Sequence, residues 1–150
     1  MLNIEYRSYF IIQYSIFGVQ YYFNVIAKDQ NMSREEKIKF YDLLVASYPD
    51  AVRKGDTMPY TSLNGHMYSY FTKDNFLALK LPEAERVKFL DKYKTTLVQQ
   101  YGIIQKEYVT VPESLLANTE QLKPYFAMSY QYTAALKPKP TAKGKKKDQS

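Results

Sequence analysis

The amino-acid sequence predicts an α+β fold in which an antiparallel four-stranded sheet, a meander plus one strand, packs with about three helices. Three observations lead to this prediction. Ser33 and Glu36 form a capping box ahead of a stretch with helical periodicity. Asn64-Gly65 is a residue pair that favours a tight β-hairpin turn. Leucines alternate with other residues over 77–81, as expected for a strand with one buried face.

The first helix is predicted over residues 33–48. Glu35 and Glu36 lie in its first turn, where the helix dipole favours acidic side chains. Pro49 ends it, because proline cannot continue the hydrogen-bonding pattern of a helix. Between these points the apolar residues recur at helical spacing, and they are Ile38, Tyr41, Leu44, Val45 and Tyr48.

A meander of three strands is predicted to follow. The strands are expected near residues 57–62, 66–72 and 76–81. The Asn64-Gly65 turn joins the first two, since both central residues of a type I′ turn need positive φ. Residues 73–75 form the second turn. Pro59 has no N–H to donate to a neighbouring strand and therefore predicts an edge position for the first strand.

The rest of the domain is predicted as helix, strand and helix. Pro82 suits the first position of a helix that runs to about residue 97. The stretch "QKEYVTVP" predicts a fourth strand, which Pro112 ends. The last helix is expected over 119–136, with Pro124 near its start. Its inner face is predicted to carry Leu122, Phe126, Ser129, Thr133 and Leu136.

Composition places one folded domain at residues 32–136. The chain has 150 residues, of which 45% are hydrophobic and 24% are charged. It has no cysteine, which excludes disulfides, thiolate metal sites and a cysteine nucleophile. The net charge is +6, and residues 137–150 alone carry +5 from six lysines and one aspartate. This segment is predicted to be a disordered tail rich in lysine and proline, and the body is nearly neutral.

The stretch Ser8–Ala27 contains no charged residue and is about long enough to cross a bilayer as a helix. Polar residues such as Gln13 and Asn24 weaken a membrane anchor, and no cleavage site typical of a signal peptide follows an apolar core. Two further interpretations are a start that lies ahead of a native Met32, and a genuine arm that packs on the sheet. Residues 1–31 are therefore assigned to an N-terminal extension, either non-native or an added arm, which we expect to be dispensable for folding.

Alternation along the strands divides the sheet residues between two faces. One set is predicted to face the helices and comprises Met67, Ser69, Phe71, Leu77, Leu79, Leu81, Val109 and Val111. The other set comprises His66, Tyr68, Tyr70, Phe76, Lys80, Lys106 and Tyr108. Aromatic rings interleaved with lysines can stack bases and hold phosphates. The alternative is that the last helix or residues 1–31 cover this face, so that its tyrosines belong to the core.

The lysines of the tail extend the nucleic-acid hypothesis, because lysines bind a polyanion through counterion release. They can equally serve only to keep the chain soluble. The candidate nucleic-acid-binding residues are Lys137, Lys139, Lys143, Lys145, Lys146, Lys147, Tyr68, Tyr70, Tyr108 and Lys106.

No catalytic residue, metal or cofactor is predicted, since His66 is the sole histidine, the acids are scattered and no glycine-rich phosphate loop is present.

The ordered set of these motifs resembles the N-terminal domain of TfoX/Sxy-like proteins, within the wider YjbR-like group. The matching residues are Asn64, Gly65 and Met67 at the turn, Leu77, Leu79, Lys80 and Leu81 in the third strand, Lys106, Glu107, Tyr108, Val109, Val111 and Pro112 in the fourth, and Leu122, Pro124, Ser129, Tyr132 and Leu136 in the last helix. The resemblance covers about residues 33–140 and implies an α+β fold without catalysis. Some members of that family are linked to regulation of competence for DNA uptake, and relatives are labelled DNA-binding.

The resemblance and the composition together predict a cytoplasmic regulatory or interaction module that is not an enzyme. Its expected partner is a protein or a nucleic acid held weakly through the tail, with no metal and no membrane. The alternative is a small-ligand-binding domain, or an enzyme, with a pocket beside the sheet. A flat, basic, aromatic face favours the first function, whereas a deep pocket lined by polar groups favours the second.

Overall fold

Helices and an antiparallel sheet form along residues 32–140, which is the part of the chain that the structure, a computed structural model, describes. The helices are α1 (Arg34–Ala46), α2 (Glu83–Tyr93), α3 (Glu113–Ala117) and α4 (Thr119–Ala134). The strands are β1 (Arg53–Lys54), β2 (Tyr60–Leu63), β3 (His66–Phe71), β4 (Leu77–Lys80), β5 (Leu97–Gln100) and β6 (Ile103–Val111). The sheet order is β1-β2-β3-β4-β6-β5, and every neighbouring pair is antiparallel. The predicted α+β class with an antiparallel sheet is confirmed, but the sheet has six strands instead of four.

Helix α1 begins where the capping box predicts. The Ser33 hydroxyl accepts a hydrogen bond from the Glu36 N–H, and the Glu36 carboxylate accepts one from the Ser33 N–H at 2.8 Å. These two bonds satisfy N–H groups that a helix start otherwise leaves without partners. The helix ends at Ala46, two residues before the predicted end, and it buries Tyr41, Leu44 and Val45.

The predicted meander corresponds to β2, β3 and β4. Asn64 and Gly65 join β2 to β3 with φ angles of 54° and 77°, as a type I′ turn requires. The expected edge position of the first strand is wrong, because the two-residue strand β1 pairs with the outer side of β2. Pro59 lies just before β2, where its missing N–H removes no bond between the strands.

The hairpin formed by β5 and β6 is absent from the sequence prediction, which continued α2 to about residue 97. Helix α2 instead ends at Tyr93, and Lys94 adopts a left-handed conformation that turns the chain. A second tight turn follows at Tyr101 and Gly102, with φ angles of 53° and 73°. The predicted fourth strand is therefore only the C-terminal part of β6, and β5 is a new edge of the sheet.

The C-terminal part of the domain contains two helices, because the short α3 precedes the predicted last helix. Helix α4 starts at the predicted residue and ends at Ala134. Pro124 lies inside its first two turns, and Asn118 caps its start by accepting a hydrogen bond from the Gln121 N–H. The predicted inner face is buried at Leu122, Phe126, Ser129 and Thr133, whereas Leu136 lies beyond the helix and is half-buried.

The two faces of the sheet are packed differently. All four helices contribute to a core on one face, which we call the helix side. Its buried members are Tyr41, Leu44, Val45, Tyr68, Phe71, Leu77, Leu79, Leu81, Phe89, Val109, Val111, Leu115, Leu116, Leu122 and Phe126. The opposite face, which we call the second face, carries a smaller cluster of Tyr70, Ala78 and Val98 with Tyr60 and Tyr108 packed around it. Within residues 32–140, no helix contributes to this second cluster.

Candidate functional site

A β-bulge in β3 decides which tyrosines reach the second face. Thr61 pairs with Ser69 and Ser62 pairs with Met67, so Tyr68 is an extra residue without a partner on β2. Such an insertion breaks the strict alternation of side chains along a strand. The bulge therefore shifts the residues before it to the opposite face from the one that simple alternation assigns.

This bulge makes three of the predicted face assignments wrong, those of His66, Met67 and Tyr68. His66 was expected on the second face, but it pairs with Leu63, which packs against the core of the helix side. Tyr68 was expected on the second face, but its ring packs on the helix side at 5.7 Å from the Phe126 ring and 5.5 Å from the Tyr130 ring. Met67 was expected on the helix side, but it lines a pocket on the second face. Ser69 stays on the helix side as predicted, where its hydroxyl lies 2.7 Å from the Tyr41 hydroxyl.

The second face holds a shallow pocket of about 210 Å³, which we call the tyrosine pocket. Its lining residues are Met58, Tyr60, Met67, Tyr70, Gln100, Gln105 and Tyr108. Tyr70 and Tyr108 lie on β3 and β6, on either side of β4, where the small Ala78 leaves room between them. Their rings meet edge to face with centroids 5.2 Å apart, which is a favourable geometry for two aromatic groups.

Tyr108 is fixed in this pocket as a neutral phenol. Its hydroxyl donates a 2.8 Å hydrogen bond to the Met67 carbonyl oxygen, which links β6 to β3 across β4. The pKa of Tyr108 is raised to about 12, mainly by burial and to a smaller extent by nearby Tyr70 and Glu107. Burial also raises the pKa of Tyr70. Both phenols therefore remain protonated at neutral pH.

Lys80 carries a positive charge near the pocket, but an ion pair with a carboxylate already neutralises that charge. Its side chain is 5% exposed, and its ammonium lies 3.1 Å from the Glu107 carboxylate. The same ammonium lies 5.6 Å from the centroid of the Tyr108 ring. Lys80 was expected on this face beside the aromatic residues, and the structure buries its side chain in the ion pair with Glu107.

The start of the basic tail is held against the turn between β2 and β3. We call residues 137–140 the C-terminal strap. The Lys139 N–H donates a 2.9 Å hydrogen bond to the Asn64 carbonyl oxygen. The His66 ring donates through Nε2 to the Lys137 carbonyl oxygen, 2.9 Å away. These residues belong to the segment that was predicted to be a disordered tail, and in the structure their backbone is bonded to the hairpin.

Gly65 allows this close approach. A Cβ atom at Gly65 would lie 3.0 Å from the Cβ of Lys139, and the glycine has a φ of 77° that side chains rarely adopt. The contact places the start of the tail beside His66, the residue that precedes Met67 of the tyrosine pocket. The tail therefore starts at the hairpin whose strand β3 also carries Met67 of the pocket.

The predicted site residues divide into four groups. Tyr70 and Tyr108 are brought together in the pocket, and exposed Lys106 lies in β6 between two pocket residues. Lys137 and Lys139 are exposed on the strap. Tyr68 is excluded by the bulge. The remaining candidates, Lys143, Lys145, Lys146 and Lys147, lie outside the described residues.

Several pocket residues were missed by the sequence analysis. Tyr60, Gln100 and Gln105 reach the pocket from β2, β5 and β6. The two glutamines flank the overlooked hairpin turn at Tyr101 and Gly102. The signal that could have located them is the β-branched run before the turn together with Gly102, since these favour a strand and a tight turn over a helix.

The described part of the chain has neither a metal-binding cluster nor a membrane-spanning helix. In residues 32–140, no three acidic, histidine or cysteine side chains come together in a way that could hold a metal ion. In the same range, no helix combines the length and the apolar character needed to cross a membrane. The uncharged stretch Ser8–Ala27 lies outside the described residues.

The fold and the site define an α+β domain with an aromatic pocket on the face of its sheet opposite the helices. Comparisons with family models, with curated proteins and with solved structures gave no match. The resemblance to the TfoX N-terminal domain therefore stays a prediction.

Proposed function

We propose that this protein is a non-catalytic binding module for single-stranded nucleic acid. In this proposal a base stacks in the tyrosine pocket and the adjacent phosphates are held by the lysines of the tail. The observation that carries the proposal is the cluster of three tyrosine rings in the pocket, on a sheet whose β2–β3 turn is bonded to the root of a segment with six lysines. Stacking platforms combined with basic segments are the usual means of binding single strands.

The chemistry of the pocket suits an unpaired base. Tyr60, Tyr70 and Tyr108 supply aromatic surface, and every base has a face that can stack on it. The side-chain amides of Gln100 and Gln105 can both donate and accept hydrogen bonds, as the edge of a base requires. The pocket of about 210 Å³ lies below the roughly 300–1,000 Å³ of pockets for drug-sized ligands. It therefore favours one inserted ring over a larger free ligand.

The distribution of charge explains why the tail is needed. Among the described residues, no lysine or arginine lines the pocket, and Lys80 is neutralised by Glu107. Phosphates would therefore find their positive partners on Lys106 and on the lysines of residues 137–150. Since each phosphate contact releases counterions, binding should weaken steeply as the salt concentration rises.

The proposal agrees with what the resemblance to the TfoX N-terminal domain implies, namely a regulatory module without catalysis. A link to competence and a cytoplasmic location are part of the same proposal. A cytoplasmic location also suits the absence of cysteine, because the chain needs no oxidising compartment to fold.

The test is the affinity of the full chain for a labelled single strand of about ten nucleotides, followed by fluorescence anisotropy at low salt. Tyr60→Leu and Tyr108→Leu keep apolar volume but remove the ring. We expect each to weaken binding about 5- to 150-fold, which corresponds to the loss of one stacked base. The matched control is Tyr101→Leu, because Tyr101 is 75% exposed at a hairpin tip and does not line the pocket.

The contribution of the tail is measured by replacing Lys143, Lys145, Lys146 and Lys147 with glutamine in the full chain. We expect weaker binding and a shallower dependence of affinity on salt. If these changes abolish binding while the pocket variants match the Tyr101→Leu control, the tail alone binds polyanions and the pocket has no role. If the unaltered chain does not bind at low salt, the nucleic-acid proposal is wrong.

A second candidate is a free neutral planar ligand, and it is favoured by the lack of lysine and arginine among the described residues that line the pocket. A nucleoside without phosphates distinguishes the two functions. Under the second candidate it binds as tightly as the oligonucleotide, and the lysine substitutions in the tail have no effect.

A further inference from the structure

A groove lies at the sheet edge formed by β5, away from the tyrosine pocket. It is bounded by the turn between β3 and β4, by α2 and by the β5–β6 hairpin, and it encloses about 690 Å³. We call it the hairpin groove. Its apolar lining residues are Phe76, Leu90, Leu97 and Ile104. Phe76 and Ile104 are 40% and 57% exposed, so apolar surface remains available to an occupant.

The hairpin groove also has a simple charge pattern. Asp74 is the one charged residue among the described side chains that line it, and the others are apolar or are uncharged threonine and glutamine residues. A segment that carries many charges would lose hydration in such a groove without gaining partners. The groove therefore suits an uncharged occupant with apolar and aromatic side chains.

The start of the described chain lies next to this groove. Arg34, in the first turn of α1, donates through Nη1 to Asn75 Oδ1 at 2.7 Å, and the Lys37 ammonium donates to the Asn75 carbonyl oxygen at 3.3 Å. Asn75 lies between Asp74 and Phe76, which both line the groove. The first turn of α1 is thus anchored at the edge of the groove, and residues 1–31 precede it.

The segment that precedes α1 has the matching chemistry. Residues 8–27 contain no charge and include tyrosine, phenylalanine, isoleucine and valine. Residue 27 is seven residues before Arg34, the first residue of α1, so an extended chain places it at most about 25 Å from the start of that helix. We propose that residues 8–27 of this chain dock in the hairpin groove of the same molecule. This docking is independent of the proposed nucleic-acid function, because it uses a different surface.

The experiment uses the full chain with one introduced cysteine, since the natural sequence has none. A nitroxide spin label is attached to Gln99→Cys, which lies in the groove lining. We expect the label to broaden the NMR signals of residues 8–27 several-fold more than a label on Gln131→Cys does. Gln131 is the matched control because it is exposed on α4, which contributes nothing to the described lining of the groove.

A second variant tests the groove itself. Ile104→Lys, combined with the Gln99→Cys label, places a charge among the apolar lining residues. We expect the broadening of residues 8–27 to fall to the level of the Gln131→Cys control. The melting temperature should remain close to that of the unaltered chain, because the Ile104 side chain is 57% exposed.

Two outcomes would overturn the proposal. In one, the Gln99→Cys label broadens residues 8–27 no more than the Gln131→Cys control. In the other, spin-labelled protein mixed with a separate isotope-labelled protein gives the same broadening, so that the segment comes from a second copy. Broadening that occurs within one molecule and is lost in Ile104→Lys supports the proposal.

Discussion

Tyr68 and Tyr70 are two residues apart in β3, and they lie on opposite faces of the sheet in opposite kinds of surroundings. Tyr68 is 1% exposed on the helix side, between the rings of Phe126 and Tyr130. Tyr70 lies on the second face against Tyr108, where the described residues that surround it come from the sheet. The same residue type is thus a core component on one face and part of a pocket wall on the other. This difference shows that the elements packed against a strand tyrosine determine whether it belongs to the core or to a pocket wall.

The largest expected effect tests the helix side of this comparison. Phe126 is fully buried, and its ring contacts Tyr48 and Tyr68. We expect Phe126→Ala to lower the free energy of unfolding by about 3–5 kcal/mol, because it removes buried apolar surface and leaves a cavity. Denaturant unfolding of the full chain measures this loss.

The control for this prediction is Leu43→Ala, since Leu43 is 60% exposed on α1. We expect that change to stay within about 0.5 kcal/mol of the unaltered chain. Equal losses for the two substitutions would show that the helix side is not the cooperative core.

A smaller effect tests the junction between the domain and its tail. Gly65→Val forces a β-branched residue into positive φ and toward Lys139, so we expect a loss of about 1–3 kcal/mol. Gly102→Val is the matched control, because Gly102 has a similar φ of 73° but no described atom within 4 Å of the point that a Cβ would occupy. The difference between the two melting temperatures therefore reports the strap contact. Equal melting temperatures for Gly65→Val and Gly102→Val would mean that the strap does not contact the turn in solution.

The local elements that sequence reasoning located are those defined by residues close together in the chain. The capping box at Ser33 and the Asn64-Gly65 turn both use contacts within a few residues, and both occur as predicted. The end of α2, where Lys94 turns the chain, is different because no nearby residue signals it. Lysine gives no sequence signal for a left-handed conformation, so the helix prediction continued into what is β5.

The candidate site was predicted only in part, for a related reason. Alternation alone assigned Tyr70 and Tyr108 to the same face, but the bulge at Tyr68 depends on how β2 and β3 align. The approach of Lys139 to Asn64 depends on where α4 ends relative to the hairpin. Such contacts join residues far apart in sequence, and no local pattern encodes them.

The next smaller effect on stability is expected from removing a buried hydroxyl on the helix side. The Tyr41 hydroxyl lies 2.7 Å from the Ser69 hydroxyl, which also bonds to Thr61 in the buried interior. We expect Tyr41→Phe to lower the free energy of unfolding by about 1 kcal/mol, the usual net worth of one hydrogen bond. On the second face, we expect Tyr108→Phe to have a smaller effect, because that phenol is only partly buried. A larger loss for Tyr108→Phe would reverse the comparison between the faces.

The smallest effect concerns alkaline pH. The pKa of Tyr108 is raised from the ordinary value of 10.0 to about 12, so the folded state holds this proton more tightly than the unfolded state. The stability that this difference contributes is therefore complete below pH 10 and is lost as the pH rises through about 12. We expect stability to fall less steeply over this interval in Tyr108→Phe than in the unaltered chain. Identical slopes, measured by denaturant unfolding at each pH, would contradict a buried phenol in the pocket.

The central claim is that one face of the sheet maintains the fold and the other binds a partner. Its most direct test is NMR mapping of the full chain during titration with a single-stranded oligonucleotide. We expect chemical-shift changes at Tyr60, Met67, Gln105 and Tyr108 and along the C-terminal strap, with Leu44 and Phe126 on the helix side unchanged. Changes confined to residues 141–150, or changes centred on the helix side, would contradict the account.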